Sequence, residues 1–384
     1  MNIDFFSPVS DSIVACIDAQ PSSSLGHAIK IYFTDSPFPD LSEVQLAILG
    51  VEDARGGSGD SVREGLVDVR KELYQLFGGN WKAGIADLGN IKAGHTIEDT
   101  YFAVSSVLTS LLKQNIVPVI LGGSQDITYA VYRAYDAMEQ TVNIAAVDSR
   151  FDIGPEEMPL SRSFLSKIIL EKPNNLFNYS NIGYQTYLNS QEEITLLDSL
   201  YFDAFRLGEV QDITQVEPIL RDADIVSLDL SSIRQTDAPG NRNASPNGFF
   251  GNDACAIARY AGISDKVSSF GVFEYCSFLD SNKQTAKLIA QMLWYFVEGF
   301  NQRAKDYPYA TKESYEKYTV LLEDDDPLNF YKSDKSGRWW MEINVISNNK
   351  HKRHALIPCS YHDYEQALQR KMPNRWFKAM QKLV

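Results

Sequence analysis

Short β-branched apolar runs recur along this chain, each followed by a longer segment of helical period. That alternation is the signature of βαβ units, whose strands join a parallel sheet covered by helices on both faces. Strands are expected over 46–51, 117–121, 143–147, 181–184, 225–230 and 268–273. Helices are expected over 61–77, 96–114, 127–139, 161–170, 213–222, 252–261 and 283–301. Turn-forming clusters such as Gly56-Gly57-Ser58-Gly59 and Asp237-Ala238-Pro239-Gly240 punctuate the strand ends. The predicted fold class is α/β, a three-layer α-β-α arrangement around a mostly parallel sheet.

Two segments read as additions to that core. Residues 1–40 carry Pro21-Ser22-Ser23-Ser24 and a short strand candidate over 29–33, and residues 41–305 hold the α/β pattern. From 306 to 384 the composition turns aromatic and charged, with an exposed turn expected at Glu323-Asp324-Asp325-Asp326-Pro327. An extended segment is expected over 338–343 and a helix over 361–370. Trp339 and Trp340 are costly to leave in water, so this segment is expected to pack on the core or on a protein partner.

A chain of 384 residues that is 44% hydrophobic can build a large core. A net charge of -14 argues against nucleic acid or an anionic membrane as partner, since both require clustered Lys and Arg. The one basic stretch, Lys350-His351-Lys352-Arg353-His354, reads as a solvated loop. Cys16, Cys255, Cys276 and Cys359 are scattered without metal or redox spacing, which suits a reducing compartment. The N-terminus has no secretory pattern and the apolar runs around 116–121 and 288–297 are too short or interrupted to span a bilayer, so a soluble cytoplasmic protein is expected.

Three strand ends carry the chemistry: Leu121-Gly122-Gly123-Ser124-Gln125-Asp126, Val147-Asp148-Ser149-Arg150-Phe151-Asp152 and Ser227-Leu228-Asp229-Leu230-Ser231. Ligand sites in parallel α/β sheets form at the carboxyl ends of strands, which brings Gln125, Asp148, Asp152 and Asp229 together. Buried carboxylates in such a cluster repel one another and need cations, protons or hydrogen-bond donors. Simpler roles compete. Asp148 and Asp229 could cap the turns that follow them, Gln125 could be a first-turn residue, and Glu274 a surface carboxylate. The histidines have no ligand-like spacing, and Ser124 and Cys255 lack a base partner for nucleophilic chemistry.

These three segments resemble the GGDHS, DAHxD and SxDxD motifs of the ureohydrolase family of arginase, agmatinase and formimidoylglutamase. The resemblance extends over about residues 46–301, including the Arg55-Gly56-Gly57-Ser58 turn and the strand end at Phe273-Glu274. It implies that Gln125, Asp148, Asp152 and Asp229 stand where one manganese is held, and that Arg150 and Ser231 replace the private ligands of the second. An all-oxygen set suits at most one hard cation, Mn²⁺, Mg²⁺ or Ca²⁺. Arg150 cannot coordinate a metal, and is expected to reach into the vacated second position and pair with Asp148 and Asp229. The family's general-acid histidine has no counterpart in the loop over 154–160. Glu274 matches the residue that contacts a substrate's guanidinium end. Two functions follow: a binding or scaffold protein that has lost two-manganese hydrolysis, or a hydrolase of a linear amidine or guanidine working with one metal. Self-association is implied by the resemblance alone.

Overall fold

The computed structural model describes residues 1–60, 62–155, 157–210, 212–308, 313–322, 327–345 and 353–383. Its strands are β1 (Phe6–Ser7), β2 (Lys30–Ile31), β3 (Val44–Val51), β4 (Gly84–Ile91), β5 (Val117–Leu121), β6 (Val142–Val147), β7 (Leu176–Tyr184), β8 (Asp203–Arg206), β9 (Ile225–Asp229) and β10 (Ser269–Phe273), followed by β11 (Tyr315–Leu321), β12 (Pro327–Ser333), β13 (Trp339–Val345) and β14 (Arg353–Cys359). The helices are α1 (Val14–Asp18), α2 (Leu25–Ala28), α3 (Arg63–Tyr74), α4 (Ile97–Leu112), α5 (Ile127–Arg133), α6 (Phe164–Leu170), α7 (Gln191–Ser199), α8 (Glu217–Arg221), α9 (Gly251–Ile263), α10 (Gln284–Asn301), α11 (Tyr361–Leu368) and α12 (Asn374–Leu383). The first ten strands form one sheet in the order β1-β4-β3-β5-β10-β9-β6-β7-β8, with β2 also on β4. The β1–β4 pair is antiparallel, and β3 pairs parallel with both β4 and β5.

The strands are apolar on both faces because both faces are covered. Along β3, Leu46 and Ile48 enter the core beneath α3, α9 and α10, whereas Ala47 and Leu49 enter the one beneath α4, α5 and α6. This is the doubly buried strand that a continuous rather than alternating apolar run signals. Helix α4 starts where expected because Thr96 and Asp99 close a capping box, at 3.1 and 2.8 Å. Several expected helices are broken at one end. The segment expected over 127–139 becomes α5 and then a 3₁₀ turn over Ala134–Met138, and that over 213–222 becomes a 3₁₀ turn over Ile213–Val216 and then α8. Ser61, Glu156, the turn at 323–326 and Lys350, His351 and Lys352 of the basic stretch lie outside the described residues.

Strand β4 has no counterpart among the expected strands, because Asp87, Gly89 and Asn90 interrupt its apolar run. The interruption is satisfied from α3. Fully buried Arg70 donates to both Asp87 carboxylate oxygens at 2.8 and 3.0 Å, to Asn90 Oδ1 at 2.6 Å and to the Gly89 carbonyl at 2.9 Å. The segment before residue 40 is woven into the sheet through β1 and β2.

The tail forms a second, antiparallel sheet in the order β11-β12-β13-β14, of which only β13 was legible as an extended segment. Trp339 stacks on Tyr364 of α11, with centroids 4.9 Å apart. Trp340 is fully buried, with the Arg221 guanidinium 4.5 Å above its ring. Arg221 also donates to the carbonyls of Trp339 and Cys359, both at 2.9 Å, so one arginine of α8 ties two tail strands to the core. Among the described residues no helix is long and apolar enough to cross a membrane.

Candidate functional site

The carboxyl ends of β5, β6, β9 and β10 lie side by side in the sheet, and each delivers a polar residue to one place. After β5 the chain turns through Gly122 and Gly123, both with φ of +77°. A Cβ at Gly123 would stand 2.6 Å from the Asp53 carbonyl, so left-handed backbone and close approach both require glycine there. The turn seats Gln125, fully buried at the start of α5, where its backbone N–H donates to Glu274 Oε1 at 2.9 Å. Its amide nitrogen faces Ser227 Oγ at 3.5 Å, while its Oε1 has no partner.

Asp148 and Asp229 both cap the turns that follow their strands. Asp148 Oδ1 accepts the Arg150 N–H at 2.9 Å and faces the Ser231 hydroxyl at 3.5 Å. Asp229 Oδ1 accepts the Ser231 N–H at 2.6 Å. Capping occupies one oxygen of each; Asp148 Oδ2 is buried and unpartnered. Ser149 and Ser231 join their hydroxyls at 3.2 Å. Asp152 and Glu274 hold left-handed backbone with φ of 53° and 66°. Non-glycine residues rarely adopt that conformation, and strain of this kind concentrates at functional sites.

The electrostatics follow from burial. Removal from water, and then the neighbouring Asp152, pushes Asp148 well above the ordinary carboxylate range. Burial raises Asp152 to about 7, although the Arg162 charge opposes the rise. Burial and then the Asp148 charge raise Asp229 to about 8, and burial and then Asp229 raise Glu274 to about 8. The four carboxylates therefore form one mutually repelling cluster that holds protons near neutrality or attracts a cation.

The expected pairing of Arg150 with Asp148 and Asp229 is corrected. The Arg150 side chain donates to the Leu188 carbonyl at 3.0 Å, and it makes no ion pair with either aspartate. Its backbone carbonyl is fixed by Asn181 Nδ2 at 2.6 Å, and Asn189 holds the neighbouring Ser149 carbonyl and Phe151 N–H, which aims the side chain along the loop after β7. Burial, and then the Arg162 charge, lower the Arg150 guanidinium below its ordinary range, and the buried carboxylates of Asp152, Asp148 and Asp229 oppose this only in part. The direct counter-ion is Arg162, whose Nε lies 3.0 Å from Asp152 Oδ1. Arg162 sits just past the 154–160 loop, inside the span expected to be helix; a 3₁₀ turn over Leu160–Arg162 instead points it at the cluster. The sequence signal that could have found it was a lone cation in the loop after a carboxylate-rich strand end.

The early glycine turn also belongs to the site, since a Cβ on Gly57 would stand 3.1 Å from Glu274 Oε1 and 2.8 Å from Ser124 Cβ. Buried Asp126, the last residue of the first strand-end motif, accepts from the Tyr101 hydroxyl at 2.6 Å behind Gln125. No histidine takes part in these contacts. The cluster can bind a cation or a cationic group and can hold a proton near neutral pH, but it presents no paired nucleophile and base.

A sequence model of the arginase family matches residues 45–298. Formimidoylglutamase of Staphylococcus aureus (strain JH9) is 24% identical over 291 residues, covering 70% of this chain and 92% of the relative. The fold matches formiminoglutamase of Trypanosoma cruzi, solved with Mn²⁺, at a TM-score of 0.62 and 19% identity, over 69% of this chain and 97% of that one. It matches formimidoylglutamase of Bacillus subtilis at 0.64 and 18% identity, over 73% of this chain and 93% of that one.

Proposed function

We propose, because the chain belongs to the arginase family, that its carboxylate cluster descends from a two-manganese hydrolytic centre and now binds a small guanidinium or amidinium group without hydrolysing it. The observation that carries this reading is the 3.0 Å ion pair of Arg162 with Asp152. A guanidinium already offsets the charge of a carboxylate that the family resemblance assigns to manganese. The resident cation is organic, so a second organic cation, held by Glu274 and Asp229, is the ligand the remaining charge favours.

Two manganese ions do not fit these residues. Among the described residues no group of three or more His, Cys, Asp or Glu side chains is disposed to hold a metal ion. Arg150 and Ser231 stand at the positions that would complete the second ion's set, and the Ser231 hydroxyl is engaged with Ser149. A water bridged by two ions, with its lowered pKa, has no support here. The chain's own residues offer a polar cradle instead: Glu274 held by the Gln125 N–H, Asp229 held by the Ser231 N–H, and Asp152 held by Arg162. Residues 306–384 belong to this reading as a module added to the binding core and available to a protein partner.

A second reading rests on a specific observation. The unpartnered Gln125 Oε1 and Asp148 Oδ2 are two buried oxygens that a single hard cation would satisfy. That cation would supply Lewis acidity for cleaving a C–N bond of a linear amidine, weakened by its anionic ligands.

Metal analysis of the purified protein, with ammonia, urea and formamide assayed against guanidino and formimino compounds, separates the two. The binding reading expects no turnover, with saturable binding of a guanidino or formimino compound that Glu274→Gln abolishes. Stoichiometric Mn²⁺ with turnover that disappears in Asp229→Ala would overturn it.

A further inference from the structure

A cavity of about 650 Å³ lies at the opposite end of the sheet from the carboxylate cluster, between the amino ends of β6, β7 and β8 and the tail elements β14, α11 and α12. Its size falls within the range of small-molecule sites. The tail wall is cationic by helical spacing. Arg375, Lys378 and Lys382 stand at i, i+3 and i+7 on α12, one stripe of that helix, and all three line the cavity. The core wall contributes apolar surface, notably Phe177, Phe205 and Ile219.

Three cations share two carboxylates, although Lys382 also donates to Asn178 Oδ1 and Lys378 to the Phe202 carbonyl at 3.3 Å. Asp203 serves both lysines, at 3.4 Å from Lys378 and 3.5 Å from Lys382. Asp203 also accepts from Asn178 at 3.0 Å. Arg375 reaches Asp363 only at 3.8 Å, and that carboxylate already caps α11 by accepting from the Ser360 N–H and hydroxyl. The two other acids in the wall are engaged elsewhere: Asp222 binds Lys266 and Asn143, and exposed Glu209 accepts the Arg206 N–H. Lys382 is nine-tenths buried, and that burial works against its charge, so a second anion beside it would be stabilising.

We propose that this cavity is a binding site for a small organic anion, with a carboxylate or phosphate head against Arg375, Lys378 and Lys382 and an apolar body against Phe177 and Phe205. The site is separate from the carboxylate cluster and independent of its function. A cationic stripe facing an apolar wall selects an anion with a hydrophobic end, and the acidic remainder of the wall, Asp222 and Glu209 against Lys266, disfavours a polyanion.

Calorimetric titration of the full chain tests this with phenyl phosphate, phenylacetate, inorganic phosphate and benzylamine. One equivalent of phenyl phosphate or phenylacetate is expected to bind, the tighter of the two identifying the head group, and benzylamine is expected not to bind. Lys378→Gln, at a partly exposed position, should weaken the anion at least tenfold, as should Arg375→Gln, while Asp148→Asn at the other site should leave the affinity unchanged. Unfolding curves of each variant without ligand establish that the fold survives. The proposal is overturned if neither aromatic anion binds at millimolar concentration, if inorganic phosphate binds as tightly as phenyl phosphate, if both cation variants retain wild-type affinity, or if Asp148→Asn removes the binding.

Discussion

Replacing Asp229 by asparagine should stabilise the metal-free protein, and more so at high pH. Asparagine preserves the shape and the oxygen that accepts the Ser231 N–H at 2.6 Å. What it removes is a buried charge. Asp229 is raised from 3.8 to about 8 in the folded state, by burial and then by Asp148. A carboxyl whose folded value lies above its unfolded value supports the fold fully below the unfolded value, and that support is lost as pH rises through the folded value. At about 1.4 kcal/mol per unit, the upper bound on the cost at pH 8 is roughly 5 kcal/mol. The neighbours titrate together, so part of that cost is relieved by protons shared with Asp148 and Glu274. A gain of about 2 kcal/mol at pH 8, and well under half of that at pH 5, is the expected outcome. Urea unfolding of EDTA-treated wild type and variant at the two pH values measures it. A variant less stable than wild type at pH 8 would refute the reasoning, since it would mean that Asp229 is held ionised by a partner the cluster does not contain.

Arg162→Gln removes the counter-ion of Asp152, so Asp152 rises further above about 7 and the variant should lose about 1 kcal/mol at pH 8 and less at pH 5, read from the same unfolding curves. Arg221→Ala strips two buried carbonyls of their donor and uncovers the Trp340 ring; limited proteolysis should then cut within the tail several-fold faster while the core remains intact, and an unchanged cutting pattern would count against Arg221 as the anchor. Combining Gln125→His, Arg150→His and Ser231→Asp should raise Mn²⁺ binding, measured by metal analysis after dialysis, with full two-ion occupancy expected only when Arg162→Gln is added to free Asp152. No gain in metal would place the barrier in the Arg162–Asp152 pair, which the triple substitution leaves intact.

The doubly covered parallel sheet was legible because burial on both faces leaves a mark that local pattern preserves, a continuous apolar run such as 117–121, which is β5 to the residue. Strand ends were equally legible, and with them the meeting of Gln125, Asp148, Asp152 and Asp229, whereas Glu274 was placed beside them only by the family resemblance. Strand β4 was hidden because its polar interruptions are satisfied by Arg70, a residue that only the fold brings to it. The tail sheet was hidden for a related reason. Its strands pair as successive antiparallel hairpins over a small core, and stretches such as Tyr315-Glu316-Lys317 and Asn329-Phe330-Tyr331-Lys332 mix polar and aromatic residues with no continuous apolar run to mark them.

Which arginine faces the carboxylates is the sharpest division between the two kinds of information. Sequence alone determined that the histidines of a two-metal centre are absent and that a fixed cation stands at position 150. The direction of that cation was decided by Asn181 and Asn189, which pin the backbone around it and send the guanidinium to the Leu188 carbonyl. Arg162 takes its place beside Asp152. Residue type is a local property that the sequence carries outright. The pairing of buried charges depends on backbone direction over a few ångströms, which is settled only when the loops at the strand ends pack against one another.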